Sequence, residues 1–379
     1  MGAYHQMGDK SANLLKEVRG YDGAILSPVN DDEPAVVGII GQHRLRTGFE
    51  FILDPQLYFP RSERGKLRTW TYFPSELDTA DLLSESWWDG INEKLVETAR
   101  RLEVPILCSP AVCADTYAEE KYTFEVACTR LLCDRAGNDV SILQSAVVRL
   151  PELVAPDRPM RLASILSRTS AAGVYLVLQS DTPPRHAIPE GDQLKGVMRL
   201  IAALQDAGVR VVVGYSGPEM VLWKVAGASD CATGKFFNLR RFTKSRFEEP
   251  KEGGQQIAYW FEENLMAYLR EGDLSRVERK GLLSEASLRS PSGAQILQQL
   301  KAIPGSSWLG LGWRQYMQWF ADAEGRLQRG ELDVRELLKS AEERWGNLEA
   351  TDFLMEEPRN DGKWLRQWRR ALSEFRSGE

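Results

Sequence analysis

Asp54 stands directly after the apolar run 49–53 (FEFIL) and before Pro55, where no helix begins. Capping, the usual structural task of an aspartate at such a point, explains it poorly, so its carboxyl is a candidate base, nucleophile or ligand. Other polar residues stand at the ends of other short apolar runs. Ser27 and Asn30 close the run 22–27, and Gln56 follows Asp54 in its loop. Ser109 follows 104–108, and Gln144 and Ser145 lie at the end of 139–143. Gln179 to Asp181 follow 173–178, and Tyr215, Ser216 and Gly217 follow 209–214. In α/β barrels the reacting groups sit at the carboxyl ends of the strands, which makes these positions the ones to examine.

The elements needed to position them are legible as alternating strands and helices. Apolar residues at helical spacing predict helices over 88–102, 117–135, 160–169 and 192–207. The runs named above predict strands, and 34–40 (PAVVGII) reads as a further strand or a hairpin partner. Runs apolar on both faces and separated by helices describe a parallel sheet. Seven or eight such units over about 220 residues fit a closed (β/α)8 barrel of the TIM type better than an open doubly wound sheet. No G-x-G-x-x-G or G-x-x-x-x-G-K-[ST] loop follows any run, which removes the usual nucleotide-binding forms of the open sheet.

Beyond Arg246 the pattern changes. The segment 247–255 (FEEPKEGGQ) reads as an exposed connection, and 257–270, 295–302, 313–329, 334–345 and 363–375 read as helices. Seven tryptophans fall between Trp260 and Trp368, a spacing that suits packing better than chemistry. The expected organisation is a barrel domain over 1–255 and a helical, Trp-rich module over 256–379.

Composition bounds the partners. With 43% hydrophobic and 27% charged residues the chain is globular, and a net charge of −6 gives no global attraction to nucleic acid or anionic lipid. No run reaches the ~20 apolar residues of a membrane helix, and the N-terminus has no apolar signal core, so a cytoplasmic protein without membrane contact is expected. The five cysteines form an odd, scattered set, as reduced thiols do. Cys108 and Cys113, and Cys128 and Cys133, have four-residue gaps at the limit of zinc-loop spacing, so neither a metal nor another cofactor is expected. Of the three histidines, His43 and His186 fall in expected barrel-top loops, and neither has a Ser or Cys partner for a hydrolase triad.

The strongest local signature is GYSGPEMVLWKVAGASD (214–230), a strand end, a Gly turn, a short Pro-initiated helix, Gly-Ala, then Asp230 at the start of the next short strand. This segment resembles the part of tRNA-guanine transglycosylases that leads to their nucleophilic aspartate. FILDPQLYFP is similar to their second catalytic segment, and GAILSPVN resembles the preceding strand-then-Asn loop. The matches keep the family's order, at low identity, over the barrel; the family's C-terminal Cys/His zinc site is absent. The resemblance implies a divergent glycosyltransferase-like barrel in which Asp230 attacks the anomeric carbon and Asp54 handles the proton. Gap-free counting places Thr233 opposite the nucleophile instead. Ser27, Asn30, Gln56, Gln179, Asp181, Tyr215 and Gly217 would bind substrate. Two carboxylates suit this reaction, because a departing base leaves an oxocarbenium-like sugar.

A partner is suggested by 235–247 (KFFNLRRFTKSRF), which holds five basic residues, four phenylalanines and no acid. Lys235, Arg240, Arg241, Lys244 and Arg246 could neutralise phosphates while the rings stack on bases of tRNA or DNA. The stretch 363–370 (KWLRQWRR) reads as an amphipathic helix that docks on a protein partner or the core, or on nucleic acid. Three functions follow: base exchange or removal on nucleic acid, a non-catalytic scaffold acting through the Trp-rich helices, or a small-molecule barrel enzyme. An aldolase would want a strand-end lysine for a Schiff base, and none of the runs ends in one.

Overall fold

In a computed structural model describing residues 2–62, 64–114, 116–248, 256–350, 355–357 and 360–378, eight parallel strands close on themselves. In order they are β1 (Ala3–Gln6), β2 (Tyr21–Leu26), β3 (Glu50–Leu53), β4 (Ile106–Cys108), β5 (Ser141–Arg149), β6 (Gly173–Gln179), β7 (Arg210–Gly214) and β8 (Asp230–Thr233). The sheet closes where β1 pairs with β8, His5 opposite Thr233. Between the strands run α1 (Ala12–Glu17), α2 (Glu33–His43), α3 (Glu85–Arg101), α4 (Glu119–Ala136), α5 (Arg158–Leu166), α6 (Gly191–Asp206) and α7 (Met220–Val225). This is the expected (β/α)8 barrel.

Period-two alternation divides each strand between interior and helices. Ile25, Ile52, Ile106, Leu143, Tyr175, Val212 and Ala232 form the buried interior cluster. Their neighbours Leu26, Leu53, Leu107 and Ile142 pack in one outer cluster, and Val174, Val213 and Cys231 in another. Two glycines make room inside. A Cβ at Gly214 would lie 2.4 Å from the Tyr175 hydroxyl, and one at Gly23 would lie 2.4 Å from the Tyr4 ring.

The structure corrects three readings. The run 34–40 belongs to helix α2, because Asp32 caps it by accepting from Ala35 N and Pro34 suits its first turn. Its apolar residues Val36 and Ile39 are one helical turn apart and buried. The span 257–270 contains a hairpin, β9 (Trp260–Glu262) and β10 (Ala267–Leu269), with Trp260 opposite Leu269. The consecutive aromatics Tyr259, Trp260 and Phe261 favour extended backbone, and the Glu262 carboxylate ties the turn by accepting from Asn264 N at 3.0 Å and Ser284 N at 2.9 Å. The first strand, β1, escaped the sequence reading altogether. Most of the expected connection, 249–255, lies outside the described residues.

After the hairpin come α8 (Glu271–Arg279), α9 (Glu285–Arg289), α10 (Pro291–Ala302), α11 (Leu309–Gln328), α12 (Val334–Glu349) and α13 (Trp364–Ser377). The module and the barrel share one buried cluster. Tyr21 of β2 donates to Met317 O in α11 at 2.9 Å, and Trp368 Nε1 of α13 donates to Ile188 O beyond β6 at 2.8 Å. Trp364, Leu365, Trp368, Ala371 and Leu372 form the buried stripe of α13. No helix among the described residues is long and apolar enough to cross a membrane.

Candidate active site

Leu53 faces outward, so the next residue, Asp54, turns into the barrel at the carboxyl end of β3. It is 1% exposed. One carboxylate oxygen accepts the Tyr58 hydroxyl at 2.9 Å and the other accepts Gln56 N at 3.0 Å. Burial pushes its pKa up to about 7, against the opposing pull of Tyr58, the Gln56 N–H and the Arg246 charge. A carboxyl near that value holds and releases protons at neutral pH.

Gln56 adopts φ +55° and Tyr215, after β7, adopts φ +52°. Non-glycine residues in this region cost about 1 kcal/mol or more and persist where neighbours overdetermine them. Gln56 supplies the ties. Its Oε1 accepts from Val29 N at 2.9 Å and from the Ser27 hydroxyl at 3.3 Å, and its Nε2 donates to Tyr215 Oη at 3.2 Å. Ser27 Oγ and Asn30 Oδ1 both accept from Arg246, at 2.8 and 2.7 Å. One network thus joins the ends of β2, β3 and β7 to the segment after β8.

Aromatic rings cover it. Phe242 lies 5.1 Å from the ring of Tyr58 and 5.4 Å from that of Tyr215, and Phe247 lies 5.6 Å from Tyr58. Deeper in the barrel the Tyr175 hydroxyl donates to Gln6 Oε1 at 3.1 Å. Gln6 Nε2 and Arg246 Nε are buried without a hydrogen-bond partner among the described residues.

Asp230 is at the other end. It opens β8, on the amino face, where its carboxylate accepts Gly2 N at 2.7 Å and Arg210 Nε at 3.0 Å. Arg210 also donates to Tyr4 Oη at 3.0 Å and meets Glu50 at 3.4 Å. The structure does not bring Asp54 and Asp230 together. Thr233 is at the carboxyl end but points outward, its Oγ1 3.1 Å from Tyr316 Oη of α11. Glycine at 217 fits a tight turn, since a Cβ there would lie 2.6 Å from the Glu219 carboxylate.

Gln179 ends β6, accepts the Cys113 thiol at 3.0 Å and lines a surface cavity of about 370 Å³ with Arg149, Ser180, Asp181, Thr243 and Lys244. Asp181 is on the open rim, 3.9 Å from Arg149, with its side chain 76% exposed. His186 lies in the loop after β6, 3.4 Å from Glu357. His43 instead ends α2 and stacks on Phe49, away from the barrel top.

The basic segment is largely turned inward. Arg240 lies 3.5 Å over the Tyr316 ring and donates to Lys235 O at 2.8 Å. Arg241 donates to His186 O at 2.7 Å and lies 3.5 Å from Glu219. The Lys235 ammonium sits between the rings of Phe236 and Trp313, at 4.6 and 4.7 Å, and Arg246 belongs to the Asp54 network. Lys244 alone of the five is not buried. The sequence reading missed Tyr58, Phe242 and Phe247 as neighbours of Asp54; a tyrosine four residues after a strand-end Asp was the available signal.

By its topology the protein is a TIM-type (β/α)8 barrel with a C-terminal, mainly helical extension. The sequence matches no known family and no curated protein. Solved structures similar to it include a chitinase from Pseudoalteromonas aurantia, at 12% identity and a TM-score of 0.38, over 63% of this chain and 95% of that one. A type I 3-dehydroquinate dehydratase from Clostridium difficile is 9% identical, with a TM-score of 0.35, over 65% of this chain and 88% of that one. The carboxyl transferase domain of pyruvate carboxylase from Rhizobium etli is 10% identical, with a TM-score of 0.37, over 100% of this chain and 61% of that one.

Proposed function

We propose that the protein is a barrel enzyme acting on an N-glycosidic bond of nucleic acid, with Asp54 as its general acid. The observation that carries this reading is the convergence around Asp54. Ser27 and Asn30, Gln56, and Tyr215 come from the three segments that resemble transglycosylases, and hydrogen bonds join them. The proton moves from Asp54 to the departing base as the C–N bond breaks and its electron pair leaves with the base. An incoming base or water then attacks the oxocarbenium-like sugar and returns a proton to Asp54. Asp230 takes no part, so no covalent aspartyl intermediate forms. Tyr58 and the Gln56 N–H hold the carboxyl in place, and Gln6 Nε2 is a free donor for a base edge.

A scaffold reading draws on a different observation: Phe242 and Phe247 seal the carboxyl end over a fully buried Asp54. One experiment separates the two. Wild-type protein and Asp54→Asn are incubated with tRNA and with DNA carrying labelled bases, with and without free guanine-type base. The enzyme reading expects label exchange or release by wild type and none by Asp54→Asn. Absence of any turnover by wild type, or equal turnover by both proteins, leaves the scaffold.

A further inference from the structure

We infer that the outer face of α12 and α13 is a binding groove for the phosphodiester backbone of a nucleic acid. The inference rests on the nucleic-acid reading above and names where the polymer is held. Helix α13 turns its apolar stripe inward, against α6 and α12, so its other face is polar. Arg366, Arg369, Arg370 and Arg376 are exposed there, and with Arg335 of α12 they line a groove of about 550 Å³. The acids in its lining are Glu342 and Glu374, which leaves five positive charges against two in a chain whose net charge is −6.

Internal pairing does not consume this charge. Arg369 pairs with Glu342, and Arg370 lies 3.3 Å from Asp192 and 3.5 Å from Glu374. Glu374 is also neutralised by Lys195 at 2.5 Å. Arg335, Arg366 and Arg376 have no ion pair among the described residues. From Arg366 to Arg376 the helix advances roughly 15 Å, at about 1.5 Å per residue. Guanidinium groups spread over that length match a repeating phosphate chain better than one phosphate, which would need converging donors. A membrane surface is a poorer fit, because Trp364, Leu365, Trp368 and Leu372 are buried and no large apolar side chain of α13 is among the exposed ones. The groove also begins at the barrel's carboxyl rim. Arg370 contacts Asp192 in the first turn of α6, directly after the β6 loop.

The test is fluorescence anisotropy with a labelled oligonucleotide, single-stranded and duplex, over about 50 to 200 mM salt. Full-length wild type is compared with Arg335→Glu/Arg366→Glu/Arg376→Glu, with Arg366→Gln alone, and with Arg289→Glu as a charge control outside the groove. Losing three contacts flattens the log–log salt slope for a single strand by about 2, and Arg366→Gln flattens it by about 0.7. The triple variant then binds on the order of a hundredfold more weakly at the low-salt end, whereas Arg289→Glu binds as wild type does. Should the triple variant unfold by circular dichroism, Arg366→Gln decides. Unchanged affinity and slope overturn the groove, as does tighter binding to a phosphoserine peptide or to phosphatidylserine vesicles than to either oligonucleotide. The base-transfer reading fails separately, by turnover that survives Asp54→Asn, and that outcome leaves the anisotropy result standing.

Discussion

Replacing Asp230 by asparagine should damage the fold and spare the chemistry. The carboxylate is fully buried and receives Arg210 Nε at 3.0 Å and Gly2 N at 2.7 Å. Removing one member of a buried ion pair typically costs about 3–5 kcal/mol, because the other charge is left without its partner. Arg210 is 31% exposed and keeps Glu50 at 3.4 Å, which puts the loss near the lower end, about 3 kcal/mol. The amide oxygen of asparagine still accepts the Gly2 N–H, so the loss falls on the guanidinium. Guanidinium chloride titration at pH 7, followed by tryptophan fluorescence and far-UV circular dichroism, measures it. Turnover per folded molecule should equal that of wild type. An Asp230→Asn variant as stable as wild type but inactive would refute this reasoning and restore a chemical role to Asp230.

Asp54→Asn should change how stability depends on pH. The folded pKa of Asp54 is raised to about 7, so its contribution to stability is present below about pH 4 and is lost as pH rises through 7. Relative to the variant, wild type should lose roughly 1.4 kcal/mol per pH unit across that window; parallel stability curves would count against a buried acid. Arg240→Ala should cost about 2–3 kcal/mol, since it removes the Tyr316 stack and leaves the Gly234 and Lys235 carbonyls unpaired; loss of nucleic-acid affinity without loss of stability would show that Arg240 faces the polymer. Phe242→Ala with Phe247→Ala should open the cover, and peptide mapping should find faster thiol labelling of Cys108, which is 0% exposed in the interior; an unchanged rate would mean these rings are not the barrier.

The barrel was readable because burial on both faces gives uninterrupted apolar runs such as 173–178, and a surface helix such as α3 repeats its apolar residues every turn. Four-residue β1 has no such run: Ala3, Tyr4, His5 and Gln6 are hidden by neighbours distant in sequence. The strand-end rule found Ser27, Asn30, Asp54, Gln56 and Tyr215, which do meet. Asp230 came from the resemblance instead: the sequence places it at the start of its strand, as the structure does, and a shift of three residues along a barrel strand exchanges the carboxyl face for the amino face. Clustered charge misled in a related way. Lys235, Arg240, Arg241 and Arg246 are spent on carbonyls, rings, Glu219 and the side chains of Ser27 and Asn30 within the fold, while the arginines of α13, read as one face of an amphipathic helix, remain in solvent.

Asp54 must deliver a proton at the carboxyl end of the barrel for the proposed chemistry to run. The most direct measurement is the pH dependence of kcat/KM for base release or exchange by wild type, set beside Asp54→Asn and Asp54→Glu. An acid with a pKa of about 7 predicts a rate that is level at low pH and falls as pH rises through 7. Asp54→Glu should retain that shape at a lower rate, and Asp54→Asn should have no measurable turnover. A wild-type profile with no inflection near 7, or a profile that Asp54→Asn reproduces, would contradict that role.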